Sequence, residues 1–341
     1  MLNKKPLMAT WELTLRCNAN CLFCGSAAGK GRPDELTDEE CYDLIDQISN
    51  LDVKLVTLLG GEPLLRKNWR EIIERLTKKS IKISLITNGL LLTENDIKFL
   101  KKIKPIGVSL SLNGDPKIHN LVSGVEGYEK INSAIKLLKK HDIICGIITT
   151  LTKLNYKDRN LNYLKSFFKE NDLNSWKIQI AHPTGRMTKD LCLNINDIYK
   201  LVKWISYVKK NELSNIGIGD EIGYCSSFEP ILRGGDWPWR GCTAGLIHFG
   251  ICSDGSIKGC LALPDNFIEG NIKNNNLKNI WFDNNNFGYN RDFDVSLLTD
   301  GCKNCDKGEK CKGGCRTYNY GYSNKLYFCN PCLYRYEKER K

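Results

Sequence analysis

The amino-acid sequence predicts an α/β fold: a parallel sheet with helical crossovers, doubly wound or curled into part of a barrel, followed by a loop-rich region ordered by metal. Three observations carry this. Between residues 7 and about 190, short β-branched runs alternate six times with amphipathic segments, and strands joined by helical crossovers pack as a parallel sheet. Beyond about residue 215, Gly, Asn, Trp and Cys rise and the helical periodicity fades. Sixteen Cys in 341 residues fall into clustered spacings, which in a chain without a secretory signal reads as metal binding rather than disulfides.

Strands are predicted at residues 7–15, 54–59, 81–86, 106–112, 143–150 and 176–181, and helices near 38–50, 68–79, 94–102, 127–140, 158–171 and 195–210. In the fourth of these helices Ile131, Ala134, Ile135 and Leu138 fall on one face with lysines opposite, the stripe that an element packed on a sheet requires. Polar residues and glycines punctuate the carboxyl ends of the strands. Cys17 onward follows the first, Gly60-Gly61-Glu62-Pro63 the second, Thr87-Asn88-Gly89 the third, Ser111-Leu112-Asn113-Gly114 the fourth, and His182 through Arg186 the sixth. In parallel α/β barrels that edge binds ligands. Further on, residues 250–260 read as a hairpin turning at Asp254-Gly255. Residues 271–290 read as loop, with one short helical piece near 277–281. Such a stretch builds little core of its own, so metal cross-links are its expected source of order.

Composition narrows the class. The opening residues carry Lys4, Lys5 and Pro6, with Glu12 and Arg16 close behind, so there is no apolar signal core. No stretch is long enough to span a bilayer. The expectation is a cytoplasmic protein without a membrane partner. The formal charge of +11 shrinks on metallation, because a cube held by four thiolates carries about −2 and one held by three about −1, leaving roughly +6 with three cubes. Lysines such as Lys78, Lys79, Lys101, Lys102, Lys139 and Lys140 are scattered over helical faces, a solvated surface rather than a nucleic-acid patch.

Cys17-x3-Cys21-x2-Cys24 follows the first strand directly. Three thiolates on one loop hold three corners of an iron–sulfur cube and leave one iron open to a substrate or cofactor. This set, with Phe23 before the last Cys, Gly60-Gly61-Glu62-Pro63, Thr87-Asn88-Gly89, residues 109–114 and Gly185-Arg186, closely resembles the radical S-adenosylmethionine (SAM) enzymes over roughly residues 8–190. The resemblance implies a partial (β/α)6 TIM-type barrel whose [4Fe–4S] cluster binds SAM. It further implies Gly60, Gly61 and Glu62 at the methionine amino group, Asn88 and Ser111, with Asn113 close by, near the ribose and carboxylate, and Gln179 and Arg186 near the adenosine. The family often has Asp at the position of Asn113 and Arg at that of Ser123.

The second cysteine block is Cys242, then Gly255 and Cys260, then Cys302-x2-Cys305-x5-Cys311-x3-Cys315, and last Cys329 and Cys332. It resembles the SPASM extension of radical SAM enzymes over about residues 240–335, which implies two auxiliary [4Fe–4S] clusters and three in all. The first would use Cys242, Cys260 and Cys315, with Cys252, Cys225 or an open site as the fourth position. The second would use Cys302, Cys305, Cys311 and Cys332, with Cys329 as the alternative. The implied domains are a barrel at 1–190, a bridging helix and loop region at 191–239, and a SPASM domain with the hairpin at 240–341. Taken alone, C-x2-C spacing also suits zinc, so a zinc-stabilised nucleic-acid-binding protein is the reading from another class. Cys41, Cys145 and Cys192 read as small core residues. Cys225 is a candidate hydrogen donor, His182 and His248 read as ordinary hydrogen-bonded side chains, and Asp220, Glu221 and Tyr224 as loop residues.

SPASM enzymes mostly act on peptides or proteins. The resemblance therefore implies reductive cleavage of SAM to a 5′-deoxyadenosyl radical, hydrogen abstraction, and modification of a ribosomally made peptide by cross-link, thioether or epimerisation. The expected partners are a peptide and a flavodoxin- or ferredoxin-type reductant; because the first strand begins so near residue 1, the expectation is a separate leader-recognition protein or direct recognition of the substrate. Leu261 stands where the sulfatase-maturing branch usually has Asp, which disfavours that branch. A radical SAM dehydrogenase or sulfatase-maturase-like enzyme on a small molecule or protein is the other enzyme reading.

Overall fold

The computed structural model describes residues 5–235 and 238–340; the outermost ends of the first and last predicted domains lie outside them. Seven parallel strands form the backbone of the fold: β1 (Met8–Glu12), β2 (Leu55–Leu59), β3 (Lys82–Thr87), β4 (Gly107–Ser111), β5 (Cys145–Leu151), β6 (Ser175–Ile180) and β7 (Ile216–Ile218). They are crossed by α1 (Asp38–Asn50), α2 (Trp69–Lys78), α3 (Glu94–Ile103), α4 (Pro116–Ser123), α5 (Tyr128–Lys140), α6 (Asp158–Glu170) and α7 (Ile195–Asn211). Thr37, Thr93 and Asn194 start α1, α3 and α7 with capping boxes completed by Glu40, Asp96 and Asp197, each satisfying orphan N–H groups of the first turn. Along β2, β3, β4 and β6, buried and half-buried positions alternate. Val56, Leu58, Ile83, Leu85, Val108 and Leu110 join one continuous core with the helices, while the other face carries Thr57, Ser84, Ser109 and Gln179.

The six predicted strands and six predicted helices are all present, with ends shifted by a few residues. Four features differ from the sequence reading. A seventh strand, β7, extends the parallel sheet beyond β6; it is three residues long, too short to show a period. The helix α4 fills a stretch to which the sequence reading assigned no element. The hairpin turning at Asp254-Gly255 is formed by β8 (His248–Ile251) and β9 (Ser256–Lys258), with β10 (Ile268–Asn271) beside it, and β8 pairs parallel with β1, from Met8↔His248 to Trp11↔Ile251. One sheet of ten strands therefore runs β10-β9-β8-β1-β2-β3-β4-β5-β6-β7. The C-terminal region also contributes apolar core: Phe249, Trp281, Phe287 and Tyr318 are almost wholly buried, and helices Leu277–Phe282 and Arg316–Ser323 carry two of them, Trp281 and Tyr318.

Candidate active site

The loop of Cys17, Cys21 and Cys24 leaves β1 and is gripped in four places. Thr14 Oγ1 and the Leu15 N–H both donate to Glu35 Oε1 at 2.8 Å. The turn after β2 comes next: Gly61 N–H donates to Thr14 O and Glu62 N–H to Arg16 O, both at 2.8 Å. A Cβ at Gly60 would collide with the Thr14 carbonyl, and one at Gly61 with those of Leu15 and Arg16, so close backbone approach demands glycine there. At the end of α4, Asn20 N–H donates to Ser123 O (3.0 Å) and Leu22 N–H to Val122 O (2.9 Å). After β6, Gly185 takes a left-handed φ of +59° with the Cys24 and Gly25 carbonyls against it. Arg186 then donates three times: its N–H to Cys24 O (3.0 Å), Nε to Cys21 O (2.9 Å) and Nη1 to Ala28 O (2.6 Å).

These contacts surround a cavity of about 180 Å³ whose wall includes Cys17, Cys21, Cys24, Gly60, Gly61, Asn88, Ser111, Asn113 and Arg186. Burial raises the Cys17 thiol and pushes Cys21 up to about 12, with neighbouring thiols adding and Arg186 opposing; such thiols surrender their protons to metal rather than to water. Asn88 Nδ2 donates to Asn18 Oδ1 (2.7 Å). Asn113 Oδ1 accepts from Thr150 N–H (2.9 Å), yet its Nδ2 is buried without a partner, an unmet donor that a ligand acceptor would satisfy.

Glu62 and Gln179 are not in that wall. Glu62 is fully buried, and its carboxylate accepts from Thr87 Oγ1 (2.7 Å), Asn88 N–H (2.8 Å) and Leu64 N–H (3.1 Å). Burial pushes it up to about 7 against those three donors. Its role in the fold is to lock the turn after β2 to the turn after β3. Gln179 Nε2 donates to Thr150 Oγ1 (2.9 Å). His119 lines the cavity and was missed from sequence; its Nδ1 accepts from Asn113 N–H (3.2 Å), and burial holds it down to about 4, neutral at ordinary pH. The available signal was Asp115-Pro116, an N-cap followed by proline in the first turn.

The C-terminal thiols fall into two groups. Cys225, Cys302, Cys305, Cys311, Cys329 and Cys332 line one small, mainly apolar cavity with Tyr224. There Cys329 N–H donates to Cys302 Sγ (3.4 Å), and Tyr224 Oη shares a 2.8 Å hydrogen bond with Cys329 Sγ. Cys242, Cys260 and Cys315 form the other group: burial, with Cys242 adding, pushes Cys260 up to about 11 and raises Cys315 as well. Cys252 lies apart from it, buried near Lys258, Glu12 and Arg32. Among the described residues no three His, Cys, Asp or Glu side chains converge as one ion would need. The Cys17–Cys24 set and the six-thiol set line cavities instead, and soft donors so arranged fit iron–sulfur clusters. Cys41 and Cys145 are core residues, and Cys192 sits in a small apolar group with Ala181 and Met187. His248 bonds Thr10 Oγ1 (2.8 Å) and Gly259 O (3.2 Å), whereas His182 Nε2 is buried without a partner. Glu221 accepts from Ile180 N–H (2.8 Å), and Asp220 pairs with Arg233 at 3.8 Å.

Residues 11–161 match the family model of the Radical SAM superfamily. The chain carries a radical SAM domain. A domain of this kind uses a [4Fe–4S] cluster and SAM, and the three thiols and the cavity beside them fit both. Two relatives bracket the likeness. The AdoMet-dependent heme synthase of Methanosarcina barkeri is 26% identical over 97% of each chain. The mycofactocin maturase MftC of Mycobacterium tuberculosis is 26% identical over 91% of this chain and 78% of its own. Among solved structures, SuiB of Streptococcus suis bound to S-adenosylmethionine superposes with a TM-score of 0.78 at 22% identity, over 97% of this chain and 78% of SuiB. This fold likeness extends past residues 11–161 into the region of the C-terminal thiols. Among the described residues no helix is long and apolar enough to cross a membrane.

Proposed function

We propose that this radical SAM enzyme modifies a ribosomally made peptide by hydrogen abstraction. The observation that carries the reading is the clamped Cys17–Cys21–Cys24 loop opening on one cavity with Gly60, Gly61, Asn88, Ser111, Asn113 and Arg186. When bound, the reduced cluster and SAM supply a 5′-deoxyadenosyl radical. The chain's own part is binding, orientation and exclusion of water. Cys17, Cys21 and Cys24 would hold three irons. The Asn113 amide and Asn88 would offer donors to the ribose and carboxylate, the backbone of Gly60 and Gly61 would receive the amino group, and Arg186 would stand near the adenosine. Glu62 and Gln179 support this wall from behind, through the turn after β3 and through Thr150.

The peptide substrate is supported by relatives named as maturases, MftC and the sporulation killing factor maturation protein SkfB of Bacillus subtilis, and by SuiB, whose structure is known with its precursor peptide SuiA. Residues 1–190 would supply the radical chemistry, 191–239 the bridge, and 240–341 the auxiliary clusters. The first auxiliary cluster would use Cys242, Cys260 and Cys315, the second Cys302, Cys305, Cys311 and Cys332, with an external one-electron reductant as partner. A second reading, a small-molecule substrate of the heme-precursor kind, is favoured by the end-to-end match to the heme synthase. Anaerobic reconstitution should give a brown protein with about twelve irons per chain that forms 5′-deoxyadenosine from SAM when reduced. Deuterium from labelled candidate peptides, and not from labelled porphyrin precursors, should enter that product. The opposite pattern would select the second reading, and a colourless zinc protein would overturn both.

A further inference from the structure

We propose that Cys225 is a reserve ligand of the cluster in the six-thiol cavity, able to close its fourth corner in place of the C-terminal thiols. The inference rests on the iron–sulfur reading of that cavity. A cube has four corners, and the wall offers six thiols. Cys302, Cys305 and Cys311 come from one knuckle, and Cys329 and Cys332 from the segment after helix Arg316–Ser323. Cys225 alone comes from the barrel side, out of the turn between β7 and helix Glu229–Arg233.

Its placement is built rather than incidental. Cys225 stands at φ +59°, a left-handed conformation that a residue with a Cβ adopts only when its surroundings impose it. Here they do. The Cys225 N–H donates to Glu229 Oε2 at 2.7 Å, and Glu229, itself buried, also accepts from the Trp239 N–H. One residue earlier the Tyr224 ring stacks on Trp239 with centroids 4.9 Å apart. The turn thus sends two consecutive side chains into the same cavity. Tyr224 Oη meets Cys329 Sγ at 2.8 Å, and the Cys225 thiol is hydrogen-bonded to that of Cys311. Core filler needs neither the left-handed backbone nor the carboxylate that holds it. Cys332, for its part, also lines a separate outer cavity of about 500 Å³, whereas Cys225, half-buried like Cys332, and the buried Cys329 line only the six-thiol cavity.

The test uses the full chain with Cys17, Cys21 and Cys24 replaced by Ala, so that iron and EPR signals report the C-terminal sites alone. After anaerobic reconstitution with iron and sulfide, the C329S/C332S variant of this parent should keep the parent's iron, and adding C225S should remove about four irons per chain together with one reduced-state EPR signal. Loss of that iron already in C329S/C332S, or its retention when C225S is added, would overturn the inference. A parent without C-terminal iron would overturn the iron–sulfur reading itself, and the reserve ligand with it. Because the last variant could fail to fold, alkylation is read on C329S/C332S as well. Cys225 should be protected after reconstitution and reactive after chelation, and equal reactivity in the two states would count against ligation.

Discussion

Arg186 fastens the radical-cluster loop with one side chain, because its planar fork reaches two carbonyls, those of Cys21 and Ala28, that a lysine could not meet together. Arg186→Met removes two charge-assisted bonds, about 3 kcal/mol between them, while the backbone bond to Cys24 O survives. The expected result is a folded protein that loses its SAM-cleaving iron on brief exposure to air, checked by iron content and by 5′-deoxyadenosine yield. His119 gives a pH signature. Its folded value, near 4, lies below the ordinary imidazole value of 6.5, so its contribution to stability is complete above about 6.5 and is lost as pH falls toward 4. Protonation would also set an N–H on Nδ1 against the Asn113 N–H it now accepts. Wild type should therefore lose up to about 3 kcal/mol between pH 7 and 4 from this group. His119→Asn, which keeps an acceptor near that position, should flatten the fall in denaturant midpoints. From sequence, Arg186 and Asn113 were legible because they sit in motifs. His119 was not, since a lone His carries no spacing of its own and the Asp115-Pro116 helix start was its one signal.

At the scale of elements, strands and helices were legible wherever local period and caps agreed. β2, β3, β4 and β6 alternate, α1 and α3 open on Thr with an acidic residue three positions on, and no long-range information is required. Glycines were legible as punctuation, but their reason was not. Gly60 and Gly61 read as ligand contacts, and the structure adds that they let the turn after β2 press against the backbone of residues 14–16. That reason predicts a contrast. Gly61→Ala must displace the Arg16 and Leu15 carbonyls and should abolish SAM binding and the iron held by the first loop. Gly217→Ala, on β7, meets nothing within 4 Å and should leave stability unchanged or raise it by about 0.5 kcal/mol. Calorimetric SAM titration of the two reconstituted variants checks both.

Across the whole molecule, the least legible feature is the pairing of β8 with β1, since no local pattern announces a parallel partner some 240 residues away. It closes the edge that β1 would otherwise present and seats a buried charge. The Glu12 carboxylate accepts from Ser253 Oγ (3.1 Å), Ser253 N–H (3.2 Å) and Arg32 Nε (2.9 Å). Removing residues 240–341 would take away two of those three donors, uncover the β1 edge, and expose the surface on which Phe249 and Trp281 now pack. A carboxylate left with Arg32 alone loses two hydrogen bonds, and an open apolar edge strand templates association. The fragment 1–239 should therefore aggregate even when reconstituted. Ser253→Ala in the full chain, by contrast, loses one hydroxyl donor and should cost about 1–2 kcal/mol with the cluster retained. Size-exclusion chromatography of the fragment and chemical denaturation of the variant decide the matter. A monomeric fragment with native near-ultraviolet dichroism and a bound first cluster would mean that the barrel holds its shape without the hairpin.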